Sequence, residues 1–150
     1  MTTQTDTVLK LTRVIKTDPA TVFAAWTDPA KMSHWCAPEG VECANVEVDL
    51  SVGGRYHIHM KSPEGEYNAR GVYQEIDSPR RLSYTWRWDE KEHDCGDTLV
   101  TVEFNDLGES TEIVLTHEGF PNGEARDGHD QGWISCLARL EGLLGAETEG

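Results

Sequence analysis

The segment Gln131-Gly132-Trp133-Ile134-Ser135-Cys136-Leu137-Ala138-Arg139-Leu140-Glu141-Gly142-Leu143-Leu144 decides the fold. Trp133, Leu137, Leu140 and Leu144 recur at steps of four, three and four, which stacks them on one face of a helix. A helix with one apolar stripe must lay that stripe on something. The partner large enough to receive it is the run of alternating segments upstream. A space between a curved sheet and a long helix is a natural place for a small apolar ligand.

Working outward, Arg81 to Asp89 is the clearest strand. Leu82, Tyr84, Trp86 and Trp88 fall on one face, and Arg81, Ser83, Thr85 and Arg87 on the other. Thr98 to Asn105 turns Val100, Val102 and Phe104 inward. Ser110 to His117 does the same with Ile113, Leu115 and His117. In Arg55 to Lys61, Tyr56, Ile58 and Met60 alternate with His57 and His59. Glu66 to Ile76 is a longer strand in which Gly71 predicts a bend or bulge. Glu42 to Asp49 and Thr7 to Thr17 complete the set. Asp18-Pro19 and Asp28-Pro29 each open a short helix, since Asp caps and Pro suits the first helical position. Val22, Phe23 and Trp26 face inward from the first, Met32 and Trp35 from the second, which Pro38-Glu39-Gly40 ends. Asn122 caps the last helix. Strands two to seven, joined by short turns, form an antiparallel meander, so the class is α+β.

A chain of 150 residues is one domain, 1–150, with an ordered core of about 7–145. With 27 acidic against 13 basic side chains, the formal net charge is −14. That balance excludes nucleic acid or an anionic membrane as the main partner, because both demand a basic footprint. No run approaches the roughly 18 apolar residues that cross a bilayer. Met1 to Asp6 is polar and lacks the apolar core of a secretory signal. Cys36, Cys43, Cys95 and Cys136 are scattered, with no Cys-x-x-Cys, so reduced thiols and a cytoplasmic location are expected.

Several strings together carry a resemblance. They are Val22-Phe23-Ala24-Ala25-Trp26-Thr27-Asp28-Pro29, His34-Trp35, Gly53-Gly54-Arg55-Tyr56, Gly71-Val72-Tyr73-Gln74-Glu75-Ile76, Arg81-Leu82-Ser83-Tyr84-Thr85-Trp86, His117-Glu118-Gly119-Phe120 and Gly132-Trp133-x-x-x-Leu137-x-x-Leu140. From about Val8 to Leu144 the chain resembles the activator of heat-shock protein 90 ATPase homologue-like family. That family sits in the SRPBCC superfamily, with START lipid-transfer domains, polyketide cyclases and the birch pollen allergen. The resemblance implies a helix-grip fold: a curved seven-stranded antiparallel sheet wrapped around a long C-terminal helix, with two short helices between strands 1 and 2. It implies no single activity, because this fold hosts transport, cyclisation, sequestration and chaperone regulation, and with them lipid binding and stress response.

Periodicity alone favours an aromatic row that simply fills the core; the resemblance favours a cavity. The expected ligand-binding set is Trp35, Tyr56, Ile58, Met60, Tyr84, Trp86, Trp88, Val102, Phe104, Leu115, His117, His129, Trp133 and Leu137. His129 lies four residues before Trp133, so it shares a helix face with it one turn earlier. His117 and His129 could orient a polar group or act as acid and base; the plainer alternative is a hydrogen-bonded pair. Metal ligation by His57-x-His59, His34-x-Cys36 or His93-x-Cys95 lacks the converging set that zinc wants. Arg55, Arg70, Arg81 and Arg87 read as outer-face partners of acidic side chains rather than an anion clamp. The chain has no Gly-rich phosphate loop and no Gly-x-Ser-x-Gly elbow.

The expected function is therefore binding of a small hydrophobic or aromatic molecule between sheet and helix, without cofactor or metal. One alternative is a cyclase, dehydratase or hydrolase using His117, His129 and Tyr84. A second is a chaperone-associated module whose acidic surface meets a basic partner. Exposed strand edges and His57/His59 also leave room for a homodimer.

Overall fold

The computed structural model describes residues 7–37, 40–90 and 96–144. Strand β1 (Val8–Ile15) is followed by α1 (Pro19–Thr27) and α2 (Pro29–Met32). Strands β2 (Glu42–Val48), β3 (Arg55–Ser62), β4 (Gly65–Asp77), β5 (Arg81–Trp88), β6 (Thr98–Asp106) and β7 (Thr111–Glu118) come next, and α3 (Gly123–Leu144) closes the order. Pro38, Glu39, His93, Cys95 and the tail from Gly145 lie outside the described residues.

The helix starts follow the expected chemistry. Asp18 accepts from the backbone N–H of Thr21, and Asp28 from that of Ala30, with Pro19 and Pro29 at the first helical positions. Asn122 accepts from the N–H of Ala125 at 2.8 Å and caps α3. Each cap satisfies a backbone donor that the first turn cannot.

The described strands form one antiparallel sheet in the order β1-β7-β6-β5-β4-β3-β2. The meander predicted for strands two to seven is present, and β1 adds to it by pairing with β7, from Val8 opposite Glu118 to Ile15 opposite Thr111. The architecture is α+β, a seven-stranded antiparallel sheet gripping a long C-terminal helix. Leu82, Val100, Val102, Ile113 and Leu115 are fully buried, in one core cluster with Leu137 and Leu140. Each such side chain contributes roughly 1.5–3 kcal/mol by leaving water.

The predicted bend at Gly71 is displaced. The register shift between β4 and β5 lies between Tyr73 and Glu75. Gly71 answers a different need. Tyr56 stands directly across from it, and the Tyr56 hydroxyl donates to the Thr85 carbonyl on the next strand. A Cβ at position 71 would lie 1.9 Å from the Thr85 oxygen and 2.6 Å from the Tyr56 hydroxyl. Glycine is there to let a ring cross the strand.

The outer face carries the ion pairs expected of Arg70, Arg81 and Arg87. Arg70 pairs with Asp89, Arg87 with Asp97, and Arg81 bridges Glu75 and Glu103. His57 bonds Asn68 and His59 bonds Glu66 on the adjacent strand. Among the described residues no cluster of His, Cys, Asp and Glu is arranged to hold a metal ion, and no helix is long and apolar enough to cross a membrane.

Candidate functional site: an aromatic cavity between sheet and helix

A cavity of about 760 Å³, partly open to solvent, lies on the inner face of the sheet. Its floor comes from β3 (Ile58, Met60), β4 (Tyr67) and β5 (Tyr84, Trp86, Trp88). One wall comes from α1, α2 and the turn after them (Trp26, Met32, Trp35, Cys36). The other comes from the start and middle of α3, with Gly128, His129, Gly132, Trp133 and Cys136. No residue of β6, β7 or β1 is in this lining.

The walls are fixed by their own polar tips, as buried Trp and Tyr require. Trp26 Nε1 donates to the Tyr84 hydroxyl at 3.1 Å, and Trp35 Nε1 to the Ala25 carbonyl at 2.9 Å. Trp88 Nε1 donates to His129 Nε2 at 2.9 Å, and Trp133 Nε1 to His117 Nδ1 at 3.0 Å. The rings also pack on one another: Trp26 with Trp35 at 4.6 Å, Trp86 with Trp88 at 5.5 Å, and Trp86 with Trp133 at 5.6 Å between centroids. Rings held by these bonds and contacts cannot fold inward to fill the space.

The groups around the two histidines fix the hydrogen-bond role of each ring nitrogen. His117 Nδ1 accepts from Trp133, so Nε2 carries the proton and donates to Thr98 Oγ1 at 2.7 Å; that hydroxyl donates to the Trp86 carbonyl. Burial, and then the nearby His129, hold the His117 imidazole well below the ordinary histidine range. His129 Nε2 accepts from Trp88, so Nδ1 donates to the Ala125 carbonyl at 2.8 Å. The rings meet edge to face at 5.3 Å. Both nitrogens of each ring are therefore committed within the protein.

Two donors at the site are not committed. The Tyr84 hydroxyl accepts from Trp26, but its own proton has no acceptor among the described residues, and burial keeps the phenol neutral by raising its pKa. Trp86 Nε1 is buried with no partner among them.

Of the residues singled out from sequence, Trp35, Ile58, Met60, Tyr84, Trp86, Trp88, His129 and Trp133 border the cavity. Val102, Phe104, Leu115, His117 and Leu137 are buried outside its lining, and Tyr56 borders a separate recess with Arg55 and Gly71. The physical reason is that alternation assigns a side chain to a face of the sheet, not to a position along it. Trp26 and Met32, expected only to face inward, also border the cavity, as do Cys36, Tyr67 and the stripe Gly128, Gly132 and Cys136, which no alternation or apolar period marks. That stripe runs at steps of four, one position before His129, Trp133 and Leu137. A Cβ added at Gly128 or Gly132 would meet nothing within 4 Å.

The comparisons with known proteins agree with this geometry. The family model for Activator of Hsp90 ATPase homolog 1-like protein matches residues 16–145. A comparison with curated proteins gives no significant match. Among solved structures, a protein from Chromobacterium violaceum is 26% identical with a TM-score of 0.84, over 94% of this chain and 99% of that one. An AHSA1 protein from Silicibacter pomeroyi is 27% identical with a TM-score of 0.80, over 93% and 99%. An HSP90 activator from Plasmodium falciparum is also 27% identical, with a TM-score of 0.72 over 91% and 95%. A matching family model over most of the length, on a sheet that grips its last helix, means that the chain belongs to the activator of Hsp90 ATPase homolog 1-like family.

Proposed function

We propose that this protein binds a small apolar, aromatic-rich molecule in the cavity between β3–β5 and α3. One observation carries the reading: all five tryptophans of the chain border that single cavity. A core built only for stability would distribute such rings and close over them. Here they frame about 760 Å³, within the range of roughly 300–1,000 Å³ typical of small-molecule sites. The spare Tyr84 proton and Trp86 N–H favour a guest with a hydrogen-bond acceptor, such as a carbonyl or ether oxygen, on an otherwise apolar body. Sequestration, transport and sensing all use such a site. The committed nitrogens of His117 and His129 support binding over acid–base turnover.

Titration with aromatic ketones and an anilinonaphthalene probe, read by tryptophan fluorescence, tests this directly. Saturable quenching is expected. Gly132→Leu places a side chain into the open space and should weaken binding by at least about tenfold, while the better helix former keeps the fold intact. Unsaturable signals, or equal affinity in wild type and Gly132→Leu, would end the proposal.

A second reading rests on the likeness to the Plasmodium falciparum HSP90 activator. Under it, the net charge of −14 would meet a basic surface on a chaperone. Addition of this protein to a purified Hsp90 should then raise the ATPase rate, in a salt-sensitive way. An unchanged rate removes that reading and leaves the cavity proposal standing.

A further inference from the structure

Three thiols lie near the α2–β2 side of the cavity. Cys36 Sγ and Cys43 Sγ are 3.6 Å apart. Cys36 is buried at the end of the turn after α2, and Cys43 is half-buried on the edge strand β2, next to a register shift between Cys43 and Asn45. Cys136, buried on α3, borders the cavity with Cys36. The two sulfurs are seven positions apart in sequence, without a Cys-x-x-Cys signal, so only the fold brings them together.

We propose that Cys36 and Cys43 form a peroxide-oxidisable dithiol whose disulfide ties the segment after α2 to edge strand β2, beside the cavity. The geometry is close to a bridge already: a disulfide needs the sulfurs at about 2.05 Å, which is a short shift for two side chains in contact. The neighbours divide the labour. A hydrogen bond from Cys36 and the Arg139 guanidinium favour the thiolate of Cys43, lowering its pKa. Cys36 is held as the neutral thiol by that same bond and by burial. Arg139 also donates to the Ala37 carbonyl, which fastens the residue after Cys36 to α3. The Cys136 thiol is pushed up to about 12 by burial and stays inert.

The chemistry is balanced with one equivalent of hydrogen peroxide. The half-exposed Cys43 thiolate attacks a peroxide oxygen, the O–O bond breaks, and the departing hydroxide takes a proton to become water. Cys43 is then a sulfenic acid. Cys36 loses its proton and attacks the Cys43 sulfur; the S–O bond breaks, and hydroxide leaves with that proton as a second water. Two thiols are oxidised by two electrons and one peroxide is reduced.

Cys36 and the neighbouring Val41 both border the cavity, so the tether would stiffen one of its walls. That consequence rests on the binding reading; the cross-link itself does not, and the experiment separates the two. The full chain is treated with one equivalent of hydrogen peroxide, free thiols are alkylated, and the protein is cleaved after Glu39 and Glu42, which separates the two cysteines. Peptides joined through Cys36 and Cys43, two hydrogens lighter and released by reductant, are expected. In Cys36→Ala the Cys43 sulfenic acid should persist and be trapped by a cyclic 1,3-dione. In the untreated folded protein Cys43 should alkylate at least tenfold faster than Cys136. Free Cys36 and Cys43 after oxidation, or Cys43 joined to Cys95 or to a second chain, overturns the proposal.

Discussion

The inner face of the sheet is two surfaces with one parity. On β6 and β7, Val100, Val102, Ile113 and Leu115 are aliphatic, mostly β-branched, and closed to solvent by α1 and α3. On β3 to β5, Ile58, Met60, Tyr67, Tyr84, Trp86 and Trp88 face a void. Aliphatic side chains interdigitate at the density of a crystal. Large planar rings, tied through the Trp88–His129 and Trp26–Tyr84 hydrogen bonds and packed on one another, keep their positions and leave space between them. Rigidity of the walls, not lack of apolar residues, keeps one half open.

If that division is real, equal truncations should cost unequally. Leu115→Ala, in the closed half, should lose about 3–4 kcal/mol of stability, because transfer and cavity terms add. Met60→Ala, on a wall that already faces space, should lose only about 1–2 kcal/mol, since little new void is created. Urea unfolding of both variants decides; equal losses would erase the distinction between the halves.

The boundary between the halves is the Trp133–His117–Thr98–Trp86 chain of hydrogen bonds. His117→Ala strands the Trp133 N–H in the core and should cost about 2–4 kcal/mol by thermal or urea unfolding. The pH response sharpens the point. The folded pKa of His117 is depressed, so below the ordinary value of 6.5 the unfolded chain binds a proton that the folded chain refuses. Stability should therefore be insensitive to this group above pH 6.5 and fall as pH drops below it, by up to about 1.4 kcal/mol per unit. His117→Gln should flatten that slope between pH 6.5 and 5. An unchanged slope would mean that the locked neutral tautomer is not what the acid limb reports.

The smallest effect has the opposite sign. Gly132→Ala, at a helical position with open space beside it, should raise stability by up to about 1 kcal/mol. A loss instead would mean that α3 and the cavity wall lie closer than the geometry gives.

Much of this fold was legible because its signals are local. Asp18-Pro19, Asp28-Pro29 and Asn122 mark helix starts by chemistry within a few residues, and strict alternation marks β5 to β7. What escaped required distance in sequence. The pairing of β1 with β7 joins the first strand to the last, and no local pattern announces it. Tyr67 and Cys136 reach the cavity while Phe104 and Leu137, of inward parity, do not, because curvature and helix position choose among inward residues. The contact of Cys36 with Cys43 depends on where the chain emerges from α2 onto an edge strand. His117 and His129 do come within 5.3 Å, yet only their hydrogen-bond directions show that each is spoken for.

Gly71 gives a different kind of consequence. The ring of Tyr56 lies over its backbone, and no room remains for even one carbon. In a saturation library of this chain selected for folding alone, position 71 should tolerate no replacement, whereas positions 128 and 132 should accept a broad alphabet. Only a return to glycine should recover a damaged position 71, because the Thr85 backbone fills that space even when residue 56 is shortened. Three glycines of identical formula thus set very different limits on how this sequence can drift.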